Sequence, residues 1–360
     1  MHLIGLILVP LAICIAGAAL WPKRITWKEM LIGMGIGVVV ALAGFYIARY
    51  AALSDTEHWN GRISAKTHGS QPCCHCRDVC DSRDKNGNCT SSHEVCSHLQ
   101  DYWWSLEVNT GDTIPIDYCE PNENTVPASW TAAYVGEPAA VKHRYLNYLR
   151  ADPDSLVRKF ADEKMLNSVP EFPLIYDFYK VSKVVGGGLP PEWDKGLREI
   201  NADFGNSKQV DVTLVVTNNP SPTWADALEA AWLYGPKNSL NIVVGITKDG
   251  VFDWVRVVTI SKVEDVKIGL RDGLKGLKTT DWEQGLKIIR SEVSKFHRTP
   301  MAEYEYLMSA ASPSTGVLIF LYIFITLASC GLVWWAHGHD IFGNEGFGFG
   351  WCNHYNRRKW

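Results

Sequence analysis

The residues best suited to chemistry in this chain lie in one short segment that is rich in cysteine and histidine. Residues 73–98 read CCHCRDVCDSRDKNGNCTSSHEVCSH. Thiolate and imidazole groups spaced about two to four residues apart are typical ligands of a tetrahedral Zn²⁺ ion. The spacing predicts a zinc site, and its candidate ligands are Cys73, Cys76, Cys80, Cys89, His93 and Cys96.

The same segment supports a second interpretation, in which disulfide bonds hold the loop together. Its cysteines can pair in many ways and Cys119 is a further candidate partner, so spacing alone does not assign the pairs. Disulfides are expected if the segment lies outside the cytoplasm. The two chemistries are compatible, because oxidised pairs leave other cysteine and histidine groups for a metal. The cofactor expectation is therefore zinc or none.

Strand-like runs flank the cysteine-rich segment on both sides. Residues 58–66 (HWNGRISAK) precede it and residues 102–108 (YWWSLEV) follow it, while residues 84–87 form a polar turn in its middle. Such runs, bounded by turn residues, predict strands. We expect a cysteine-rich β region over residues 54–125, in which two strands carry a β excursion between them.

Three apolar segments, residues 3–21, 31–48 and 314–336, are long enough to cross a membrane as helices. A helix needs about 20 residues to span the hydrocarbon core. Glycines in the second segment favour close helix packing, and Trp334 and Trp335 are typical of a membrane interface. A cleaved signal peptide is the alternative for the first segment, although no Lys or Arg precedes it. We expect a multi-pass integral membrane protein whose first partner is the lipid bilayer.

The distribution of positive charge predicts the orientation of these segments. Basic residues cluster between the first two segments and at the end of the C-terminal tail: Lys23, Arg24 and Lys28, then Arg357, Arg358 and Lys359. Short basic loops stay on the cytoplasmic side. The large part between the second and third segments is then extracytoplasmic, and the tail of residues 337–360 is cytoplasmic.

The rest of the extramembrane part divides into a connecting region, residues 126–189, and a more regular region, residues 190–300. In the first, periodicity predicts helices over 139–149 and 155–166 and a strand over 174–185. In the second, the predicted elements alternate in the order α-β-α-β-β-α-α, which indicates an α/β fold. Their ranges are 192–204, 209–217, 224–233, 241–247, 254–260, 263–277 and 282–296.

This order and several residues resemble the TPM domain family of membrane-anchored extracytoplasmic proteins. The similar residues are Val210-Asp211-Val212 with Val215-Val216, the run from Ala231 to Ser239 before an apolar strand, and a glycine- and phenylalanine-rich tail over 343–351. The resemblance implies a TPM-like α/β domain, and for some members acid phosphatase activity and metal binding. The family turn usually carries Asp-Asn-Gly where this chain has Asn238-Ser239-Leu240, which argues against carrying that activity over.

The cysteine-rich segment carries a second resemblance. The runs WNGRI, which begins at Trp59, and CCHCRDVC, which begins at Cys73, resemble uncharacterised membrane proteins of large tailed bacteriophages. This resemblance implies no activity. It adds only the expectation that a cysteine-rich segment follows an N-terminal pair of membrane helices.

Other polar residues give little support for catalysis. The chain has no G-x-S-x-G, H-E-x-x-H or Walker motif. Its scattered acids are predicted to lie in turns and on the surface: Asp112, Asp117, Glu120, Asp211, Asp249 and Asp253. A second group after the third apolar segment fits either a metal site or a polar interfacial tail: His337, His339, Asp340, Cys352 and His354.

The sequence is consistent with two functions. The favoured one is a membrane-anchored, non-enzymatic extracytoplasmic domain that binds or organises other membrane or envelope proteins. The alternative is a TPM-like phosphatase that hydrolyses phosphoesters outside the membrane. A net charge of −4, with both signs mixed along the chain, argues against a nucleic-acid partner.

Overall fold

The structure is a computed structural model that describes residues 2–22, 25–151, 163–232 and 235–338. Its helices are α1 (His2–Leu20), α2 (Trp27–Leu53), α3 (Ala128–Ala132), α4 (Glu163–Leu166), α5 (Pro191–Lys208), α6 (Trp224–Trp232), α7 (Glu264–Leu274), α8 (Trp282–Val293) and α9 (Thr315–Gly338). Its strands are β1 (Ser54–Pro72), β2 (Cys76–Arg83), β3 (Cys89–Cys96), β4 (Gln100–Val108), β5 (Thr113–Glu120), β6 (Pro138–Leu146), β7 (Val184–Val185), β8 (Asp211–Thr217), β9 (Ser239–Ile246) and β10 (Phe252–Val258). The chain forms two compact units, residues 1–54 with 307–360, and residues 55–306.

The first unit contains α1, α2 and α9, which are long and apolar enough to cross a membrane. α2 begins at Trp27, earlier than predicted, because Thr26 and Glu29 form a reciprocal cap. The Thr26 hydroxyl accepts from the Glu29 N–H at 3.3 Å, and the Glu29 carboxylate accepts from the Thr26 N–H at 2.8 Å. Two otherwise unpaired backbone donors are thereby satisfied at the helix start.

These three helices pack on one another through a small apolar cluster that includes Leu6, Phe45 and Leu321. The predicted role of the glycines in α2 is visible at Gly37. A Cβ atom added there would lie 2.3 Å from the Cβ of Pro10 in α1. Such a distance is too short for two carbon atoms, so the close approach of the helices at this level depends on glycine.

In the second unit, a four-stranded sheet has the order β5-β4-β1-β6. β1 pairs antiparallel with β4, and β4 pairs antiparallel with β5. Its apolar face buries Ile63, Trp104, Leu106 and Ile114. The prediction that two strands flank a cysteine-rich excursion is confirmed, because β2 and β3 form a separate two-stranded sheet between β1 and β4.

A second four-stranded sheet has the order β10-β9-β8-β7, with β7, β8 and β9 parallel and β10 antiparallel to β9. β8 and β9 are buried on both faces, as expected for central parallel strands. Helices α5, α7 and α8 supply residues to the core on one face, and α6 supplies residues to the core on the other. The order α5-β8-α6-β9-β10-α7-α8 is the predicted one.

The two sheets belong to the same unit because β1 packs against α5. At Gly205 an added Cβ atom would lie 2.2 Å from the backbone oxygen of Asn60. The guanidinium of Arg62 bridges to Glu199 at 2.7 Å and to Asp203 at 2.5 Å on the same helix. The predicted regions 54–125 and 190–300 therefore share one folded body.

Two predicted elements in the connecting region are wrong. Residues 139–149 are not a helix, because Pro138–Leu146 form β6, the strand beside β1. Residues 174–185 are strand only at Val184–Val185, since Asp177 and Phe178 have φ angles of 45° and 69° and turn the chain there. Of the helix predicted over 155–166, the single turn Glu163–Leu166 is described, and its earlier part lies outside the described residues.

Candidate functional site

Residues 73–99, called the ribbon below, leave the first sheet and return to it at a single point. Pro72, the last residue of β1, is the pairing partner of Gln100, the first residue of β4. Beyond that pair, β2 and β3 run antiparallel from Cys76 opposite Cys96 to Arg83 opposite Cys89. Every residue of β3 is exposed, so the ribbon has no apolar core of its own.

Three disulfides fix the ribbon. Cys76 is bonded to Cys96 and Cys80 to Cys89, so both cross-links join β2 to β3. A third bond joins Cys74 to Cys119 of β5 and ties the base of the ribbon to the sheet. A small exposed β element buries too little apolar surface to hold its shape, and covalent cross-links replace that core.

The structure brings three of the six residues predicted as zinc ligands together, because the sulfur atoms of Cys73, Cys76 and Cys96 lie within 4.8 Å of one another, and it places the other three elsewhere on the ribbon. Cys76, Cys80, Cys89 and Cys96 are in disulfides, as the alternative interpretation allows. The remaining two lie apart. The His93 Nδ1 is 2.6 Å from a carboxylate oxygen of Asp81 on the ribbon surface, and Cys73 has a free thiol at the ribbon base.

Cys73 belongs instead to a group called the basal cluster below, which comprises Cys73, His75, His98 and Asp101. One potential ligand atom from each lies within 4.8 Å of the others. The Cys73 Sγ is 3.2 Å from the His98 Nε2, and the His75 Nδ1 is 3.5 Å from the Asp101 Oδ2. The other oxygen of Asp101 is in hydrogen-bond contact with the His98 Nε2.

The Asp101 side chain is fully buried, although the histidines around it are partly exposed. Burial of the carboxylate opposes ionisation, but hydrogen bonds from the backbone N–H of Cys74 and from His98 outweigh it. The pKa of Asp101 is therefore held below its ordinary value. A buried anion beside a thiol and two imidazoles is an arrangement that can hold a cation.

Sequence reasoning missed Asp101 and the grouping around it. The available signals were the spacings Cys73-x-His75 and His98-x2-Asp101. They lie at the two places where the ribbon joins the sheet, called the feet of the ribbon below. They become meaningful only when Pro72 and Gln100 are known to pair, because that pairing brings the two feet together. Neither foot contains enough ligands alone to indicate a metal site.

A second polar centre lies at the N-terminal end of β8 and corrects one prediction. Asp211, predicted to be a surface acid, is fully buried, and its carboxylate accepts from the ammonium group of Lys183, which is also buried. Asn60 of β1 donates to the same carboxylate at 2.9 Å, and the His58 Nδ1 lies 3.3 Å from its other oxygen. The apolar neighbours in β8 could not reveal this pairing, because its partners are remote in sequence.

Glu57 of β1 forms a comparable centre nearby. One oxygen of its fully buried carboxylate accepts from the Trp59 indole at 2.8 Å and lies 2.9 Å from the His143 Nδ1. The Lys237 ammonium lies 3.3 Å from that oxygen, and burial lowers the pKa of this lysine. Glu57 and Asp211 together anchor β1 to the parallel sheet, and both carboxylates are already paired with cations.

The other polar candidates are dispersed. Asp249 and Asp253 are exposed, as predicted, and Asp112, Asp117 and Glu120 are half-buried. In the group after the third apolar segment, His337 is the last-turn residue of α9. Its other predicted members, His339, Asp340, Cys352 and His354, lie outside the described residues, as do Lys23, Arg24 and the tail.

No protein-family model, no curated protein and no solved structure matches this chain. The resemblances to the TPM family and to phage membrane proteins therefore stay predictions.

Proposed function

We propose that this chain is a membrane-anchored, non-enzymatic protein whose unit of residues 55–306 binds or organises other membrane or envelope proteins outside the cytoplasm. The ribbon is the proposed contact element. The observation that carries the proposal is the ribbon's exposure combined with its cross-links. It contributes no side chains to either core, yet two disulfides keep its strands in one register.

A fixed exposed element is suited to recognition because binding then orders fewer groups. Immobilising side chains and loops at an interface costs about 0.5–1.5 kcal/mol for each flexible side chain. The disulfides remove much of that cost for the ribbon before a partner arrives. The ribbon also presents two open strand edges, because among the described strands β2 and β3 pair only with each other. An open edge can accept an extended segment of a partner.

The extracytoplasmic location is supported by two independent features. Three disulfides favour an oxidising compartment. The basic residues between the first two apolar segments and at the tail favour a cytoplasmic position for those parts, and an extracytoplasmic position for the unit between α2 and α9. α1, α2 and α9 would keep the protein in the same membrane as its proposed partner.

The phosphatase alternative lacks a supporting observation. A phosphoester hydrolase of this fold class needs several acidic groups that converge at the carboxyl ends of the parallel strands. Among the described residues, the groups of three or more Cys, His, Asp or Glu ligands involve the ribbon base, and none involves Asp249 at the end of β9. Asp211 lies at the opposite end of β8, paired with Lys183.

Site-specific photo-crosslinking in intact cells that naturally make the protein tests the proposal. A photoreactive side chain replaces Val95 on the ribbon, and the matched control replaces Ile268 on α7. Both are exposed apolar residues of the same unit. We expect a discrete protein adduct from position 95 and none from position 268. An adduct pattern that is the same at both positions, or no adduct at position 95, would contradict the proposal.

A further inference from the structure

We infer that the basal cluster is a structural Zn²⁺ site in which Cys73, His75, His98 and Asp101 supply the ligands. This inference does not depend on the ribbon having a partner. The proposed site differs from the zinc site predicted from the sequence, because the two sites have only Cys73 in common.

The distances fit a tetrahedral ion. With Zn–N and Zn–O bonds of about 2.0–2.1 Å and a Zn–S bond of about 2.3 Å, the ligand atoms lie roughly 3.3–3.6 Å apart. The Cys73 Sγ to His98 Nε2 distance is 3.2 Å and the His75 Nδ1 to Asp101 Oδ2 distance is 3.5 Å. The contact between His98 and Asp101 is shorter and must open slightly when the ion enters.

Groups around the cluster orient the ligands. The Ser97 hydroxyl lies 3.0 Å from the His98 Nδ1, which leaves the Nε2 to face the cluster. The backbone N–H of His75 donates to the Cys73 Sγ at 3.3 Å and helps to fix the position of that atom. The backbone N–H of Cys74 donates to the Asp101 carboxylate. Such outer contacts are characteristic of metal sites, because they fix the donor atoms before the ion binds.

The pairing of the other cysteines also supports a metal site that includes Cys73. Every other cysteine between residues 73 and 119 is in a disulfide, so Cys73 is the odd thiol in a segment that is otherwise oxidised. The bonds Cys74–Cys119 and Cys76–Cys96 occupy the neighbouring cysteines, including the two whose sulfur atoms lie within 4.8 Å of the Cys73 Sγ. Metal ligation accounts for a thiol that remains unpaired there.

The chemical types of the four ligands indicate which metal ion the site binds. One thiolate, two imidazoles and one carboxylate match zinc, whereas Mg²⁺ and Ca²⁺ prefer oxygen ligands throughout. Four protein ligands complete a tetrahedral shell, so the site has no open position for a reactive water and its role is structural. It would lock the feet of the ribbon to each other, as the disulfides lock its stem.

Metal analysis of the full-length protein tests the inference. The protein is purified in mild detergent without chelator or reductant, and zinc is measured by mass spectrometry. We expect about one zinc ion per chain, and loss of that zinc in both Cys73→Ser and His75→Gln. The matched control is His93→Gln, a ribbon histidine that pairs with Asp81 outside the cluster, and it should retain zinc. Peptide mapping of the disulfides in each variant shows whether the ribbon is still folded.

Cobalt substitution gives a second, spectroscopic readout. Co²⁺ in the unmodified protein should show the intense visible bands of a tetrahedral site and a thiolate charge-transfer band, and the latter should be absent in Cys73→Ser. Failure of the metal-free protein to take up Zn²⁺ or Co²⁺ would overturn the inference. Preferential retention of Cu²⁺, or an equal loss of zinc in His93→Gln, would overturn it as well.

Discussion

The ammonium group of Lys183 donates to the carboxylate of Asp211 at a place where solvent reaches neither side chain. Lys183 immediately precedes β7, Asp211 begins β8, and Asn60 of β1 donates to the same carboxylate. One buried anion therefore holds three segments that are far apart in the sequence. Removing either Lys183 or Asp211 alone therefore leaves the other charge buried without its partner.

Lys183→Met should destabilise the unit of residues 55–306 by about 3–5 kcal/mol, because it leaves a buried charge without its partner. The double variant Lys183→Met/Asp211→Leu should recover much of that loss. Urea unfolding followed by near-ultraviolet circular dichroism measures the difference. The control is Lys180→Met, which removes the more exposed pair with Asp177 and should cost at most about 1 kcal/mol. Equal losses in Lys183→Met and Lys180→Met would contradict the prediction.

Asp211 also predicts how stability changes with pH. Burial alone would raise its pKa, but the charge of Lys183 and the proximity of His58 outweigh burial and hold the pKa well below its ordinary value. A depressed folded-state pKa stabilises the protein above the unfolded-state pKa, near 4, and this contribution is lost as pH falls below that value. Between about pH 5 and pH 3, the stability of the Lys183→Met/Asp211→Leu variant should fall less steeply than that of the unmodified protein. If the unfolding free energies of the two proteins fell in parallel over this pH range, Asp211 would not contribute to the loss of stability in acid.

Removing disulfides should loosen the ribbon and leave the parallel sheet unchanged. In the chain-entropy model, loss of the Cys80–Cys89 bond costs about 2.5 kcal/mol, and loss of the more widely spaced Cys74–Cys119 bond costs about 4 kcal/mol. Hydrogen exchange in the corresponding double serine variants should show lost protection in β2 and β3. Amides in β8 and β9 are the internal control, because residues 190–300 contain no cysteine. Alkylation of all the bonded cysteines in the native, unreduced protein would rule out the cross-links.

The membrane orientation can be tested with single cysteines. In a background in which Cys14, Cys73, Cys330 and Cys352 are replaced by serine, Lys275→Cys on the unit of residues 55–306 should react with a membrane-impermeant maleimide in intact cells. Lys359→Cys in the tail should react only after permeabilisation, because the basic residues around it stay in the cytoplasm. Equal labelling of the two positions in intact cells would refute the proposed orientation.

The sequence predicted the elements whose patterns are local. The apolar helices are long uninterrupted apolar runs, and the α-β-α-β-β-α-α order follows from local periodicity, so neither prediction depends on tertiary contacts. The strand Pro138–Leu146 was mistaken for a helix because its apolar residues fit both periods. Burial of Ala139, Ala140 and Tyr145 beside exposed Lys142 and Arg144 shows the strand only once β1 is its neighbour.

The parts of the site that could not be predicted depend on long-range pairing. Spacing suggested both disulfides and zinc at the ribbon, but not which cysteine would join which. Cys74 pairs with Cys119 because β5 lies beside β4, and that adjacency is a property of the sheet. Asp101 and Asp211 had no local signal, since each acquires its role from residues brought to it by the fold.

Because Pro72 pairs with Gln100, the ribbon can be removed or exchanged without disturbing the rest of the β1–β4 pairing. The β1–β4 ladder closes below it, so a tight two-residue turn could replace residues 73–99, with Cys119 changed to serine, and the sheet hydrogen bonds would persist. Conversely, another cross-linked hairpin could be grafted onto the same two residues and carried by the same sheet. The proposed contact element could then vary while the sheet and its folding stay constant.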